Sequence, residues 1–261
     1  MQKRKPVMDY LEFNLVDHCN FSCVGCATFS PLAKAQFIDL DILTRDLTRL
    51  GELFSEIKFI RMLGGEPLLH PSVASICHLV RIAFPKADIR ILTNGMLLDR
   101  LGCDFWESMR EDQIGLDISL YPPNFSAQQK HVDVCQQELI NVRFTFKKTM
   151  KRIINIGGDS SPEAAFAQCA FKVSTFLYKG RIAPCSLPLT AHIFNAYFKE
   201  NISCSGSIGI HDPEITGEDI LTFIGSPTDS CRFCSLSPER YAWTGPSQKK
   251  INEWVTGEYI L

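Results

Sequence analysis

Three cysteines within a short loop constrain this chain more than any other feature. Cys19, Cys23 and Cys26 are spaced C-x3-C-x2-C directly after an apolar, strand-like run at residues 10–16. This spacing lets three thiolates converge on one point. A tetrahedral zinc usually has four protein ligands, and no fourth Cys or His follows at finger-like spacing. A cubane 4Fe-4S cluster tolerates three thiolates, because the iron without one becomes an open site for a small chelating ligand.

At these residues the chain resembles the radical S-adenosylmethionine (SAM) superfamily, whose usual signature is such a triplet in the loop after the first strand of a partial barrel. The resemblance implies that Cys19, Cys23 and Cys26 hold a 4Fe-4S cluster, whose open iron is chelated by the amine and carboxylate of SAM. Gly25 departs from the family pattern, in which an aromatic residue often precedes the third cysteine and packs near the adenine. The alternative at the triplet is a zinc knuckle or a set of buried thiols.

Length, composition and charge exclude several classes of protein. The 261 residues are 45% hydrophobic, which is enough for one large core and a small annex. The net charge of -2, with acids and bases interspersed, predicts no nucleic-acid partner. The sequence has no signal-peptide pattern and no apolar run of the roughly 20 residues that cross a membrane. An odd count of 11 cysteines favours cluster ligands over disulfides, and hence a cytoplasmic protein.

Periodicity predicts alternating strands and helices in the first part of the chain. Strands are expected at residues 10–16, 57–63, 89–93, 114–121 and 142–146, and helices at residues 40–54, 70–84, 97–109 and 126–139. Repeated βα units of this length make a parallel sheet. The family resemblance implies that residues 1–157 form a partial (β/α)6-type barrel. Ligands in such folds lie at the carboxyl ends of the strands.

The segment Gly64, Gly65, Glu66 and Pro67 ends the second predicted strand. Glycines let a backbone come close to a ligand. The segment resembles the one that receives the amino group of SAM, which implies that the Glu66 carboxylate and a backbone carbonyl hold the ammonium. Without the cysteine triplet upstream, a simple strand-to-helix loop would explain these residues equally well.

Polar residues end the next two predicted strands. Thr93 and Asn94 follow the third strand, and strand alternation places Ser119 and Tyr121 on one face of the fourth. The resemblance implies that all four line the SAM site, with Ser119 as the contact to the ribose or carboxylate of SAM. The alternative for Ser119 is a side chain that only fills a layer of the barrel.

Four cations follow the fifth predicted strand. Lys147 and Arg152 are the candidate catalytic residues among them, because they could reach a polar substrate. Lys148 and Lys151 are their neighbours. Solvation is the favoured interpretation for most of these four charges.

The character of the chain changes after a linker at residues 157–162, and a second domain is expected at residues 158–261. Cys169 and Cys185 bracket a predicted hairpin at residues 171–183, and Cys231 and Cys234 form a C-x2-C pair. Here the chain resembles the shortened auxiliary-cluster annex, called twitch, of the SPASM/twitch group of radical SAM enzymes. The resemblance implies a β-hairpin and helix domain in which these four thiolates hold a second 4Fe-4S cluster. A tetrahedral zinc is the alternative.

The resemblance also implies a reaction. An electron from a donor such as flavodoxin or ferredoxin leads to cleavage of SAM, and the 5'-deoxyadenosyl radical takes a hydrogen atom from a small polar substrate. Cysteine spacing and length are similar to those of an aminocyclitol dehydrogenase of this group. The expected function is therefore a dehydrogenase-like oxidoreductase acting on a sugar, polyol or aminocyclitol, with the auxiliary cluster as electron acceptor.

Three other functions stay open at this point. An epimerase would return a hydrogen atom from a thiol, and Cys204 in a polar loop is the candidate donor. A peptide-modifying enzyme would need a leader-binding region, for which the short segment before the first strand leaves no room. A non-enzymatic iron-sulfur carrier would not require residues 64–67 or the polar strand ends.

Overall fold

A sheet of eight strands organises the chain in the computed structural model, which describes residues 4–257. The strands are β1 (Val7–Val16), β2 (Glu56–Gly64), β3 (Asp88–Thr93), β4 (Gly115–Leu120), β5 (Val142–Phe146), β6 (Thr149–Ile154), β7 (Phe176–Tyr178), β8 (Arg181–Ala183), β9 (Ile208–Gly209) and β10 (Cys234–Ala242). The helices are α1 (Leu40–Leu53), α2 (Val73–Ala83), α3 (Cys103–Glu111), α4 (Gln128–Gln137), α5 (Pro162–Ala167), α6 (Leu187–Phe198) and α7 (Gly217–Ile224). None of the described helices is both long and apolar enough to cross a membrane.

The strand order in the large sheet is β5-β4-β3-β2-β1-β7-β8-β9. Strands β1 to β5 pair in parallel, and β7 adds a sixth parallel strand on the other side of β1. Helices α1 to α4 connect the first five strands, as βα units require. The predicted α/β class and partial barrel are confirmed.

Alternation along β1 separates the core from the concave face of the sheet. Leu11, Phe13 and Leu15 are fully buried and belong to the main apolar cluster under the helices. Tyr10 and Glu12 lie between them in sequence and are only partly buried by comparison. Since successive strand residues point to opposite faces, the concave face carries the polar side chains.

Helix α1 shows how local sequence defines these elements. The Asp39 side chain caps its first turn by accepting hydrogen bonds from the backbone N–H groups of Asp41 and Ile42. Leu43, Leu47 and Leu50 recur every three or four residues and are buried against the sheet. Capping and an apolar stripe together explain why the periodicity located this helix correctly.

The second half of the chain departs from the predicted pattern. The strand expected at residues 171–178 is limited to Phe176–Tyr178, and the hairpin it forms with β8 extends the large sheet beside β1. Helix α6 was not predicted, because its residues are apolar on most sides and give no amphipathic period. The division after residue 157 stays a prediction, although strands on both sides of it share one sheet.

A second, two-stranded sheet was also not predicted in full. Strand β6 covers most of the strand expected near residues 153–156, but it pairs antiparallel with β10 rather than joining the barrel. Strand β10 contains Pro238 and a run of Ser residues, so its sequence lacks the apolar alternation that indicates a strand. We call the pair β6 and β10 the ribbon.

A buried carboxylate connects α1 to the turn between β7 and β8. Asp46 is 2% exposed. Its carboxylate accepts a hydrogen bond from the Gly180 backbone N–H at 2.7 Å and lies 2.6 Å from His211 Nε2. Gly180 has a positive φ of 74°, which suits glycine in a tight turn. This contact fixes the edge hairpin against the first helix.

We expect Asp46→Ala to lower the free energy of unfolding by about 1–3 kcal/mol, because it leaves the buried Gly180 N–H without an acceptor. The measurement is urea unfolding followed by circular dichroism. Glu52→Ala is the matched control on the same helix, since the Glu52 side chain is 59% exposed and its ion pair with Arg49 lies at the surface. Equal losses in the two variants would contradict this assignment.

Candidate functional site

A pocket lies where the parallel strands of the large sheet end. The predicted site residues on its lining are Cys19, Cys23, Cys26, Gly64, Gly65, Thr93, Asn94, Ser119, Tyr121 and Lys147. These residues come from the loop after β1 and from the ends of β2, β3, β4 and β5. The carboxyl end of the sheet therefore gathers most of the residues that the sequence indicated. Glu66, Pro67, Arg152 and Cys204 are not part of this lining.

Each sulfur atom of the triplet has a polar neighbour. Cys19 Sγ accepts a hydrogen bond from the Phe21 backbone N–H at 3.3 Å, and Cys23 Sγ accepts one from Trp243 Nε1 at 3.2 Å. Cys26 Sγ lies 3.4 Å from the Thr28 hydroxyl. Donors directed at sulfur stabilise a thiolate, and hydrogen bonds to cluster sulfurs help to set the reduction potential.

Burial gives these thiols the behaviour of metal ligands rather than nucleophiles. It raises the pKa of Cys19 to about 12 and the pKa of Cys23 to about 11. Such thiols become thiolates only when a metal centre replaces the proton. Three sulfurs with donors at a pocket that also has open space beside them fit the three-thiolate cluster that the triplet predicted.

A single metal ion fits less well. Among residues 4–257, no three side chains of His, Cys, Asp or Glu form a group that could hold one metal ion. A cubane carries its thiolates on separate corners, so its ligands stand further apart than those of one zinc. The zinc alternatives at both cysteine sets gain no support from this geometry.

The two glycines that end β2 lie against the backbone of the triplet loop. Gly65 N–H donates to the Val16 carbonyl at 2.7 Å, and Glu66 N–H donates to the His18 carbonyl at 3.1 Å. A Cβ on Gly65 would lie 1.9 Å from the His18 carbonyl oxygen, and Gly64 has a φ of 142°. Glycine is required here because one part of the chain passes close to another.

The Glu66 side chain is fully buried under the pocket. Its carboxylate accepts hydrogen bonds from Thr93 Oγ1 at 2.6 Å, the Asn94 N–H at 2.9 Å and the Leu68 N–H at 3.1 Å. Burial raises the pKa of Glu66 to about 7, against these three donors. In this structure the carboxylate therefore connects the ends of β2 and β3, an arrangement that the expected contact with the SAM ammonium did not anticipate. Pro67 begins the short turn that follows.

Asn94 connects the end of β3 to the triplet loop. Its Nδ2 donates to Asn20 Oδ1 at 2.7 Å and lies 3.8 Å from Cys19 Sγ. The Asn94 carbonyl accepts a hydrogen bond from the buried Asn124 side chain. Both ends of this residue are thus held in place beside the first cysteine.

A segment far along the chain covers the triplet loop, and we call residues 241–254 the C-terminal strap. Tyr241 Oη donates to the Val24 carbonyl at 2.8 Å, and Trp254 Nε1 donates to the Cys26 carbonyl at 2.9 Å. Backbone bonds join Val24 to Thr244 and Ser22 to Ser247. The ring of Trp243 also lies beside those of Phe21 and Tyr121.

The strap explains why glycine precedes the third cysteine. A Cβ on Gly25 would lie 2.0 Å from Tyr241 Oη, and Gly25 has a φ of 64°. The space that an aromatic side chain takes in the family pattern is bounded here by Tyr241. Sequence reasoning missed Tyr241 and Trp243, because more than 200 residues separate them from the triplet and no local motif marks them.

The three candidate catalytic residues are placed differently. Lys147 lines the pocket. Arg152 forms an ion pair with Glu239 at 3.1 Å and lies over the Tyr241 ring. Cys204 is exposed, and its sulfur lies 3.8 Å from the Ile202 carbonyl oxygen, outside the pocket lining. Only Lys147 of the three is positioned to face a ligand in this pocket.

The second cysteine set also shares one cavity. Its lining includes Cys169, Cys185, Cys231 and Cys234, together with apolar residues of α5 and the end of β8. Burial, followed by the neighbouring thiols Cys169 and Cys231, raises the pKa of Cys234 to about 12. Four thiols that line one small cavity fit the donor set of a fully ligated 4Fe-4S cluster.

Comparison with known proteins agrees with this geometry. A family model described as "Radical SAM superfamily" matches residues 13–157. GTP 3',8-cyclase of Microcystis aeruginosa (strain NIES-843 / IAM M-2473) is 38% identical over 123 residues, or 45% of this chain and 37% of that protein. GTP 3',8-cyclase of Trichodesmium erythraeum (strain IMS101) is 36% identical over 117 residues, or 42% of this chain and 35% of that protein. The match thus spans little more than a third of these relatives.

A solved structure is similar over most of the chain. The crystal structure of BtrN in complex with AdoMet and 2-DOIA has a TM-score of 0.50 and 17% sequence identity. The similarity covers 88% of this chain and 94% of that chain. At this identity the likeness shows a shared fold.

We expect Glu66→Gln to lower the free energy of unfolding by about 1–3 kcal/mol, because the amide nitrogen must face at least one of the three donors around it. Thr93→Val, which removes one of those donors, should act in the same direction, whereas Thr93→Ser keeps the hydroxyl and serves as the control. The measurements are urea unfolding and SAM affinity by equilibrium dialysis. Unchanged stability with weaker SAM binding would instead indicate direct contact between Glu66 and the ligand.

Proposed function

The chain belongs to the radical SAM superfamily, and we propose that it oxidises a small polar molecule by hydrogen-atom abstraction, with the second cysteine set holding the electron acceptor. Membership implies an enzyme that contains a 4Fe-4S cluster and binds SAM. When bound, the cluster supplies the electron that cleaves SAM to a 5'-deoxyadenosyl radical. The oxidation and its substrate are the proposal.

The residues of this chain have separable tasks in that reaction. Cys19, Cys23 and Cys26 would hold the first cluster, and Asn94 and Ser119 provide polar groups beside it. The C-terminal strap covers the triplet loop and limits access of water to the site. Exclusion of water protects a radical from side reactions and strengthens every polar contact in the site.

One observation carries the choice of oxidation: a single strand connects the two cysteine sets. Cys234 is the first residue of β10, and Trp243, which follows the end of that strand, donates a hydrogen bond to Cys23 Sγ. A four-thiolate cluster at Cys234 would therefore be joined to the triplet through one strand and one hydrogen bond. This favours an electron acceptor near the site of hydrogen abstraction.

Other functions have weaker support. The curated relatives are named GTP 3',8-cyclase, but the match spans less than half of this chain. Epimerisation with Cys204 as hydrogen donor is not supported by the position of that thiol outside the pocket lining. Flavodoxin or ferredoxin remains our proposal for the electron donor.

We expect anaerobically reconstituted protein to bind about eight irons, because two thiolate sets would each hold a four-iron cluster. The Cys19→Ala, Cys23→Ala and Cys26→Ala triple variant should bind about four irons. Cys231→Ala with Cys234→Ala should also lose about four irons, whereas the control Cys103→Ala should lose none. Iron and zinc are measured by mass spectrometry of the metals. Stoichiometric zinc in the native protein would contradict the second cluster.

We expect a true substrate, added anaerobically with SAM and reductant, to raise 5'-deoxyadenosine production above the substrate-free level. Its product should be lighter by two hydrogen atoms, because the auxiliary cluster removes the second electron. Cys234→Ala should stop oxidation while SAM cleavage continues. Liquid chromatography with mass spectrometry checks both species. An isomeric product that carries one deuterium when made in deuterium oxide would instead establish epimerisation.

A further inference from the structure

Three cations lie together on the pocket lining, on the side formed by β5 and the ribbon. They are Lys147, just after β5, Lys151 on β6 and Arg240 on β10. No Asp or Glu is among the described residues that line this pocket. None of the three cations takes part in an ion pair with another residue of the range 4–257. The Arg240 guanidinium donates only to the neutral Thr149 hydroxyl, at 3.0 Å.

The pairing of the ribbon makes this arrangement more specific. Lys151 is the direct cross-strand partner of Arg240, and Arg152 is the partner of Glu239. The second pair has opposite charges, which are 3.1 Å apart. The first pair has like charges, and like charges directly opposite each other destabilise an antiparallel ribbon. The same two strands therefore contain one matched pair and one mismatched pair, and the mismatched pair lies on the pocket.

We propose that the substrate carries a multiply charged anionic group, which Lys147, Lys151 and Arg240 bind together. An anion between Lys151 and Arg240 would convert their repulsion into two attractions. The Arg fork suits two oxygen atoms of one group, and each Lys adds a point charge. This inference rests on the proposed function, because it names the substrate class for the same pocket.

SAM does not supply the missing negative charge. Its sulfonium and ammonium outnumber its one carboxylate, so it adds positive charge to the pocket. A cationic aminocyclitol would be repelled by the three side chains. Of the substrates that the sequence suggested, a sugar or polyol that bears phosphoryl or carboxylate groups fits. A pocket lined by charge of one sign also raises the local concentration of an oppositely charged ligand.

The test uses the reconstituted full chain with SAM, at low ionic strength because salt screens such contacts. Inorganic pyrophosphate and citrate are titrated separately by isothermal calorimetry. We expect at least one of them to bind, and Lys151→Glu and Arg240→Gln to weaken its binding by about 10- to 100-fold. Tighter binding of pyrophosphate assigns a phosphoryl group to the substrate, and tighter binding of citrate assigns carboxylates.

Lys148→Glu is the matched control, because Lys148 is an exposed neighbour that does not line the pocket. It should change the affinity less than twofold. Lys151→Glu should also raise the melting temperature of the ligand-free protein by about 1–3 °C, because it creates an opposite-charge pair with Arg240. A rise in melting temperature together with lost binding shows that the variant is folded.

The outcomes separate this inference from the proposed function. If the native protein cleaves SAM but binds neither anion, or if Lys148→Glu weakens binding as much as Lys151→Glu does, the anion site is wrong and the reaction stands. If both titrations behave as expected and no substrate is oxidised, the site stands and the proposed reaction is wrong. A lower melting temperature of Lys151→Glu with unchanged affinity also overturns the inference.

Discussion

The fold depends on holding a loop that has no regular secondary structure. Three sulfur atoms must be presented by residues 19–26, and that loop cannot fix its own backbone. Two distant segments do so: the end of β2 bonds to the Val16 and His18 carbonyls, and the C-terminal strap bonds to Ser22, Val24 and Cys26. Both partners approach the loop so closely that glycine is required at the contact. The positions of Gly25 and Gly65 therefore follow from the path of the chain.

A buried acid extends this support below the pocket. Glu66 is fully buried and accepts three hydrogen bonds, so desolvation of the carboxylate is partly offset by the donors around it. Because Thr93 and Asn94 both donate to it, the end of β3 is tied to the end of β2. Asn94 then reaches the triplet loop through Asn20. The side chains that line the pocket are thus arranged by a charge that the ligand need not touch.

Sequence reasoning located the parts of the site that are written locally. Cys19, Gly64 and Thr93 stand in short motifs at the ends of strands with clear periodicity, and the structure gathers them in one pocket. Tyr241 and Trp243 reach the same pocket region through β10, whose Pro238 hides the strand pattern. A contact between residues more than 200 positions apart leaves no spacing to read. The role of Glu66 was misjudged for a similar reason, since its burial is a property of the assembled sheet.

The ribbon brings three functions onto one short piece of chain. Strand β10 begins at Cys234, contributes Arg240 to the pocket and leads directly into the strap that covers the triplet. A ligand that neutralises Lys151 and Arg240 would relieve repulsion between the two strands. The ribbon would become more stable, and with it the strap and the hydrogen bond from Trp243 to Cys23. Binding of an anion would then tighten the cover over the triplet at the moment when water must be excluded.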